Sequence, residues 1–388
     1  MKMIPYGKQS ISDEDIAAVA EALRGDFLTT GPLVELFENE ISKVAGAPAI
    51  SVSSGTAALH CAYAAIGIET GDEVITPPLT FIATQATAAL MGAKIVFADI
   101  QEDTGNIDPK AVEAAITSRT KAIVAVDYAG HPADMDELRL IADKHGIYLI
   151  EDASHSLGST YKGRPVGSLA DLTTFSFFPT KNITTGEGGA VSSPKPELLA
   201  KAKSFSRQGL VRDPNKFLLK DEGPWHQEVH EFGLNYRLPD VLCALGISQI
   251  RRLGEFKNAR KIIFEKYSNA LRNHKKIILP TQRNFVEPTW HFYPLRIEAS
   301  RKLEFYRFLN NRGIKVQVNY LPAHLHPAMD QHRTNQTTLS NSINFYNREI
   351  SLPIYVDLGE DTQDFIIQVA LDFIRNYPTI WKDNENFE

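Results

Sequence analysis

The feature that most restricts what this chain can fold into is an alternation. Between residues 49 and 192, short apolar, β-branched segments take turns with helix-length stretches. The strand-like segments are Ala49–Val52, Glu73–Thr76, Ile95–Ala98, Lys121–Val126, Ile147–Ile150, Thr173–Phe178 and Gly189–Ser192. An Ala-rich stretch after Thr56, then Phe81–Met91 and Met135–His145, read as helices between them. Strands that are apolar along their whole length are buried on both faces, and connections of helical length return the chain to run parallel. The pattern therefore predicts an α/β fold with a large, doubly wound, mostly parallel sheet. Ahead of it, Ser12 and Asp15 form a capping-box pattern before Ile16, Val19, Ala20 and Leu23, and Gly31-Pro32 marks a loop before a second helix.

The character changes after about residue 240. Val241–Phe256 and Asn258–Leu271 read as long helices. Beyond Pro280 come short strands (Phe292–Ile297, Val316–Val318) and helices (Lys302–Arg312, Asp361–Asn376). We expect a large domain over residues 1–250 and a smaller C-terminal α+β domain over 251–388.

Charge and cysteine usage narrow the function classes. The 388 residues carry 41 Lys and Arg against 47 Asp and Glu, a formal charge of −6. A nucleic-acid-coating or membrane-hugging protein needs a basic excess, so neither partner is expected. Two distant cysteines, Cys61 and Cys243, offer neither a metal cluster nor a disulfide framework and fit a reducing compartment. With a polar N-terminus and no long apolar run, a cytoplasmic location is expected and no metal is.

Three local patterns carry chemistry. Phe175-Ser176-Phe177-Phe178-Pro179-Thr180-Lys181 puts a lysine after an apolar strand and before the glycine-rich Gly186-Glu187-Gly188-Gly189. An amine at a sheet rim is partly desolvated, which suits a Schiff-base nucleophile; taken alone, Lys181 reads rather as a surface-loop residue. Glu151-Asp152-Ala153-Ser154-His155 follows a buried strand at the carboxyl edge where open α/β sheets bind ligands. An aspartate there is either a helix N-cap or the partner of a protonated pyridine nitrogen. Ser53-Ser54-Gly55-Thr56-Ala57-Ala58-Leu59 is a strand–turn–helix junction whose free N–H groups suit a phosphate monoester. No dinucleotide-binding glycine fingerprint or P-loop motif is present.

The order phosphate turn, strand-end aspartate, lysine resembles fold type I pyridoxal-phosphate transferases, and more narrowly the DegT–DnrJ family of nucleotide-sugar aminotransferases. The resemblance runs along nearly the whole chain. It includes Gly31-Pro32, Gly71-Asp72-Glu73-Val74-Ile75, Pro77-x-x-Thr80-Phe81 and Gly233-Leu234-Asn235-Tyr236-Arg237-Leu238 beside the three patterns above. It implies pyridoxal 5'-phosphate as cofactor, passing through pyridoxamine 5'-phosphate. It also implies Lys181, Asp152 and His155 as catalytic residues, with Asp152 on the pyridinium and His155 near the phenolic oxygen. Phe81 would stack on the ring, and Gly55, Thr56 and Ser176 would hold the phosphate. Asn235 would reach the partner's phosphate in a homodimer with shared active sites.

Asp26-Phe27-Leu28-Thr29, Gln317-Val318-Asn319-Tyr320 and Tyr346-x-x-Glu349-Ile350-Ser351-Leu352-Pro353 are similar to the family's pseudaminic acid branch. That similarity implies amination at C4 of a UDP-linked 4-keto-6-deoxy-N-acetyl hexose, with glutamate as donor and 2-oxoglutarate as product. It also implies Tyr6, Asp26, Phe27, Leu28, Thr29, Gln317, Val318, Asn319 and Tyr320 as substrate contacts. The alternatives are the same chemistry on a UDP-4-keto-6-deoxy-GlcNAc or dTDP-4-keto-6-deoxyhexose, and a non-catalytic cofactor-binding regulator. His324 and His326, two residues apart with no third ligand in view, read as polar lining or surface.

Overall fold

The structure, a computed structural model, describes residues 3–219, 222–332 and 338–376. Residues 377–388 of the expected C-terminal domain lie outside them.

The expected sheet forms from seven strands: β1 (Ala49–Val52), β2 (Glu73–Thr76), β3 (Lys94–Phe97), β4 (Thr120–Val126), β5 (Tyr148–Asp152), β6 (Leu172–Ser176) and β7 (Gly189–Ser192). Their spatial order is β1-β7-β6-β5-β4-β2-β3. The run from β3 to β6 is parallel, and β7 lies antiparallel to both neighbours, β6 and β1. The exception follows from chain length and composition. The link from Ser176 to Gly189 holds turn residues and no helix, so the chain must come straight back on itself. Sequence patterning predicts β6 to run on to Phe178. It ends at Ser176, where the chain turns and Lys181 N–H bonds the Phe178 carbonyl.

Alternation along the strands divides the side chains between two faces. Ile123, Ala125, Leu149 and Phe175 enter one core, together with Phe37 and Ile41 of the helix Pro32–Ala45. Ala122, Val124, Ile150 and Leu172 enter the other, together with Ala58, Leu59 and Ala62 of the helix Gly55–Ala65. Both faces are therefore covered, as double winding requires.

The N-terminal helix Asp13–Arg24 carries the predicted capping box: the Ser12 hydroxyl accepts from Asp15 N–H at 3.3 Å, and Asp15 accepts from Ser12 N–H at 2.9 Å. The next helix starts at Gly31-Pro32, where Gly31 has no side chain to cap it. Its cap comes from a distance instead. Buried Asp240 accepts from Gly31 N–H at 2.8 Å and Leu33 N–H at 3.0 Å.

The two long helices form as Asp240–Arg251 and Leu253–Leu271, with the break at Arg252 rather than after Phe256 where the sequence reading places it. Leu253 and Phe256 pack in the first core, whereas Ile263, Phe264 and Tyr267 pack with the C-terminal residues. There a small antiparallel sheet forms from β8 (Ile277–Ile278), β9 (Tyr293–Ile297) and β10 (Glu349–Leu352), with the helix Glu360–Asn376 adding Ile366, Ala370 and Phe373 to the same core. Val316–Val318 does not form the strand that its apolar alternation predicts. One residue, Gln317, bridges Ser351 at the edge of β10, and the chain then leaves for the large sheet. Leu79, Ile100 and Tyr128, from loops at the carboxyl ends of β2, β3 and β4, join the C-terminal core and fix it against that edge. No helix among the described residues is long and apolar enough to cross a membrane.

Replacing Asp240 with Ala strands two backbone N–H groups at the start of Pro32–Ala45 and is expected to cost about 1–3 kcal/mol. A denaturant midpoint unchanged from wild type would remove Asp240 as the cap of that helix.

Candidate active site

The carboxyl edge of the large sheet opens into a cavity of ≈ 400 Å³ where β5, β6 and the start of the helix Gly55–Ala65 converge. Asp152, the last residue of β5, is buried in its wall. Thr84 donates to one carboxylate oxygen at 2.7 Å, and the Ser154 hydroxyl donates to the other at 2.5 Å. Asp152 thus caps no helix. Its acceptors are fixed by two neutral donors, an arrangement that holds a carboxylate toward a ligand.

Lys181 lines the same cavity, in the turn after β6. The residue is half-buried overall, but the cavity walls enclose its amine, and that desolvation lowers the amine to about 8, with Asp152 acting in the opposite sense. An amine so placed is neutral in an appreciable fraction near neutral pH, the condition for nucleophilic attack on a carbonyl.

At the other end of the cavity stand Ser54, Gly55, Thr56 and Ser176. Ser54 caps the helix, accepting from Ala57 N–H at 3.0 Å, which leaves the N–H groups of the first turn without helical partners. A Cβ on Gly55 would stand 2.8 Å from the Ser176 Cβ and 3.0 Å from its hydroxyl. The close approach of this turn to the end of β6 therefore requires glycine, and it brings one hydroxyl beside the helix start. Positive dipole end, free N–H groups and hydroxyls make a site for a phosphate.

The third wall is aromatic and imidazole-rich. His155 is buried, stacked on His291 at 4.6 Å, and within 3.2 Å of the Tyr320 hydroxyl through Nε2. Burial, reinforced by the Lys181 charge, holds both imidazoles well below the usual histidine range, so both are neutral. Phe81 stands at the mouth, 60% exposed, with its ring 6.1 Å from that of Tyr320. Its open face is free to cover a planar ligand.

Of the expected substrate contacts, Tyr6, Gln317, Asn319 and Tyr320 line the cavity. Asn319 is held hard: its amide donates to the Tyr6 hydroxyl at 2.6 Å and to Ser351 at 3.0 Å, its N–H bonds Glu349 at 2.8 Å, and the Tyr128 hydroxyl donates to its carbonyl. Val318 points instead into the C-terminal core. Asp26, Phe27, Leu28 and Thr29 lie in the exposed loop ahead of Pro32–Ala45, and none lines this chain's cavity. Asn235 is likewise exposed, bridged to Arg207 and away from the cavity. His324 stands edge-on against Phe97.

Three contributors have no motif of their own. Thr84 lies inside a helix, and Ser154 reads as a spacer between Asp152 and His155. His291 stands in the run Trp290-His291-Phe292-Tyr293, where a polar residue entering an otherwise aromatic strand is the one available signal. Competitive acylation of the ligand-free protein across pH should give Lys181 an apparent pKa near 8, against the usual lysine value of about 10.4; an unshifted value would mean that the amine is not enclosed.

Comparison with known proteins agrees with this geometry. Residues 9–370 match the DegT/DnrJ/EryC1/StrS aminotransferase family. The UDP-4-amino-4,6-dideoxy-N-acetyl-beta-L-altrosamine transaminase of Campylobacter jejuni is 38% identical over 94% of this chain and 96% of its own. The spore coat polysaccharide biosynthesis protein SpsC of Bacillus subtilis is 37% identical over 96% and 97%. Helicobacter pylori PseC, an aminotransferase of pseudaminic acid biosynthesis, superposes with a TM-score of 0.90 at 32% identity, over 97% of this chain and all of its own. Spr1654 of Streptococcus pneumoniae in its PLP form gives 0.90 at 28%, over 97% and 100%. Fold, cavity and sequence together place this chain in the DegT/DnrJ/EryC1/StrS aminotransferase family.

Proposed function

We propose that the protein transfers an amino group from glutamate to C4 of a UDP-linked 4-keto-6-deoxy-N-acetyl hexose. The observation that carries the reading is the presence of an enclosed amine, Lys181, and a pinned carboxylate, Asp152, in one cavity with the Gly55–Thr56–Ser176 anion site. Pyridoxal 5'-phosphate is the cofactor. The cavity fits it: hydroxyls and a helix start for its phosphate, a fixed carboxylate for its ring nitrogen, and an open aromatic face, Phe81, for its ring. The Nδ1 atoms of His155 and His291, buried without protein partners, fit a polar ligand beside them.

When bound, the cofactor supplies a protonated ring that withdraws electrons from the substrate carbon. The residues do the rest. Asp152 would hold the ring nitrogen's proton, and Thr84 and Ser154 keep that carboxylate in place. Lys181 would hold the cofactor and would take up and return a proton at its Nζ beside the substrate carbon, and its lowered basicity suits both directions of that transfer. Neutral His155 and His291 add no positive charge to oppose the lysine. Tyr320 orients His155, and Phe81 shields the ring from water.

Support for the sugar comes from the Campylobacter jejuni transaminase, whose name gives a UDP-4-amino-4,6-dideoxy-N-acetyl-beta-L-altrosamine, and from Helicobacter pylori PseC, described as an aminotransferase of pseudaminic acid biosynthesis. Bacillus subtilis SpsC, at nearly the same identity, keeps another polysaccharide precursor in contention. The homodimer reading draws support from what this chain leaves exposed. Trp225 and Phe232 are 80% and 96% accessible beside Leu218 and Leu219, and Asn235 and the Asp26–Thr29 loop face outward rather than into their own cavity. In the proposed homodimer, Asn235 and the Asp26–Thr29 loop would reach the opposing cavity of a second copy.

The purified protein should show the visible absorption of bound pyridoxal phosphate, and glutamate should bleach it. Lys181→Ala should lose about 10²–10⁴-fold in turnover; retained turnover would end the mechanism. Single-turnover amination of a panel of UDP- and dTDP-keto-sugars, with the product configuration read by NMR, identifies the acceptor. Turnover of a D-gluco substrate alone would overturn the pseudaminic assignment while leaving the aminotransferase intact.

A further inference from the structure

Directly behind Asp152, on the opposite face of β5, lies a second pair of acids that the reaction does not use. The register of β4 against β5 pairs Ala125 with Glu151 and Val126 with Asp152. Side chains alternate between faces, so Asp127 and Glu151 share one face as diagonal neighbours while Asp152 points to the other. Both Asp127 and Glu151 are completely inaccessible to solvent. Among the described residues, no lysine or arginine donates to either one. Two ionised carboxylates cannot sit together in such a place without a partner.

The hydrogen bonds show how the pair is resolved. Both Asp127 oxygens are occupied: Ala133 N–H donates to Oδ1 at 3.0 Å and the Ser156 hydroxyl to Oδ2 at 2.5 Å. Thr173 donates to Glu151 Oε2 at 3.0 Å, but the buried Oε1 has no partner. An oxygen that is buried and unpartnered as an acceptor is satisfied at once if it carries a proton and donates. The acid that shares its face and is hydrogen-bonded to it is Asp127.

We propose that Glu151 is a neutral acid that shares its proton with Asp127, and that this pair is the positioning device for the turn carrying Ser154 and His155. The turn is fastened from both sides. Ser154 bonds Asp152 on the cavity face, Ser156 bonds Asp127 on the hidden face, and His155 stands between them. Asp127 also donates its N–H to the Asp152 carbonyl at 3.2 Å and holds the 130–133 loop through Ala133. Glu151 ties the assembly to β6 through Thr173.

The electrostatics run the same way. Burial, opposed by the bonds from Ser156 and Ala133 and reinforced by the charge of Asp152 across the strand, pushes Asp127 up to about 7. Burial and then the Asp127 charge push Glu151 well above the usual carboxylate range, against the opposing bonds from Thr173 and the Gly167 backbone. The residues that close over this face nearby, Ala125, Ala133, Ala153 and Leu157, carry no charge. A folded-state pKa raised above the unfolded value gives stability that is complete below the unfolded value, about 4. That stability is lost as pH rises through the folded value. The pair therefore weakens the fold on the alkaline side.

The test uses the holoenzyme and the Glu151→Gln and Glu151→Ala variants. Glutamine cannot ionise, yet its amide can donate to Asp127 as the acid does. Infrared difference spectra of wild type minus Glu151→Gln at pH 6 should show a carboxylic-acid carbonyl band, a subtraction that removes the contribution of Glu349, which burial also holds above the usual carboxylate range. Glu151→Gln should keep its melting temperature between pH 6 and pH 9 better than wild type. Glu151→Ala should slow the glutamate half-reaction tenfold or more, and Glu151→Gln should restore it to within twofold. The half-reaction arm rests on the proposed donor, whereas the spectra and melting curves do not. Absence of the acid band, or equal alkaline loss of stability in wild type and Glu151→Gln, would overturn the shared proton. An equal slowing by Gln and Ala would overturn the positioning role.

Discussion

Two opposed effects meet at one amine. Enclosure lowers Lys181, and the charge on Asp152 raises it, with the balance near 8. An apolar pocket without the carboxylate would hold a neutral lysine unable to return a proton. A direct, exposed ion pair would hold a permanently charged one, useless as a nucleophile. The rest of the site keeps that balance. Thr84 and Ser154 satisfy the carboxylate without bringing positive charge, and His155 and His291 are kept neutral by their burial and by the lysine itself.

Such a balance needs rigid supports, and the parallel sheet supplies them. Asp152 ends β5, Ser176 ends β6, and both strands are buried on both faces, so each side chain leaves a fixed backbone at a fixed angle. Around the site, short side chains in a turn do the pairing: Ser154 holds Asp152 and Ser156 holds Asp127. Asn319 shows the same economy at the far wall, where four separate partners hold one residue that faces the cavity.

The sheet was legible in the sequence because a strand buried on both faces is apolar throughout, and because helix-length connections dictate parallel pairing. Asp152, His155 and Lys181 were legible because they follow such strands directly. What stayed hidden was hidden for physical reasons. The reversed strand β7 depends on the absence of a helix between Ser176 and Gly189, which no apolar pattern announces. Val316–Val318 alternates like a strand, but its neighbour β10 offers it a single bridge, and hydrogen bonding to Glu349 and Tyr128 wins. Thr84 and His291 enter the site from elements whose patterns describe packing alone. The Asp26–Thr29 loop and Asn235 are placed by family resemblance, and in a single chain they face outward.

The bridge between Gln317 and Ser351 has a consequence for the order in which the molecule is made. The phosphate turn, the strand-end acid and the lysine are complete once residue 181 has left the ribosome, yet the wall holding Asn319 and Tyr320 is fastened to β10, some 170 residues later. Contacts so distant in sequence close late. A nascent chain can thus fold its sheet, with the groups for the cofactor already on it, long before the wall that faces the substrate closes over them.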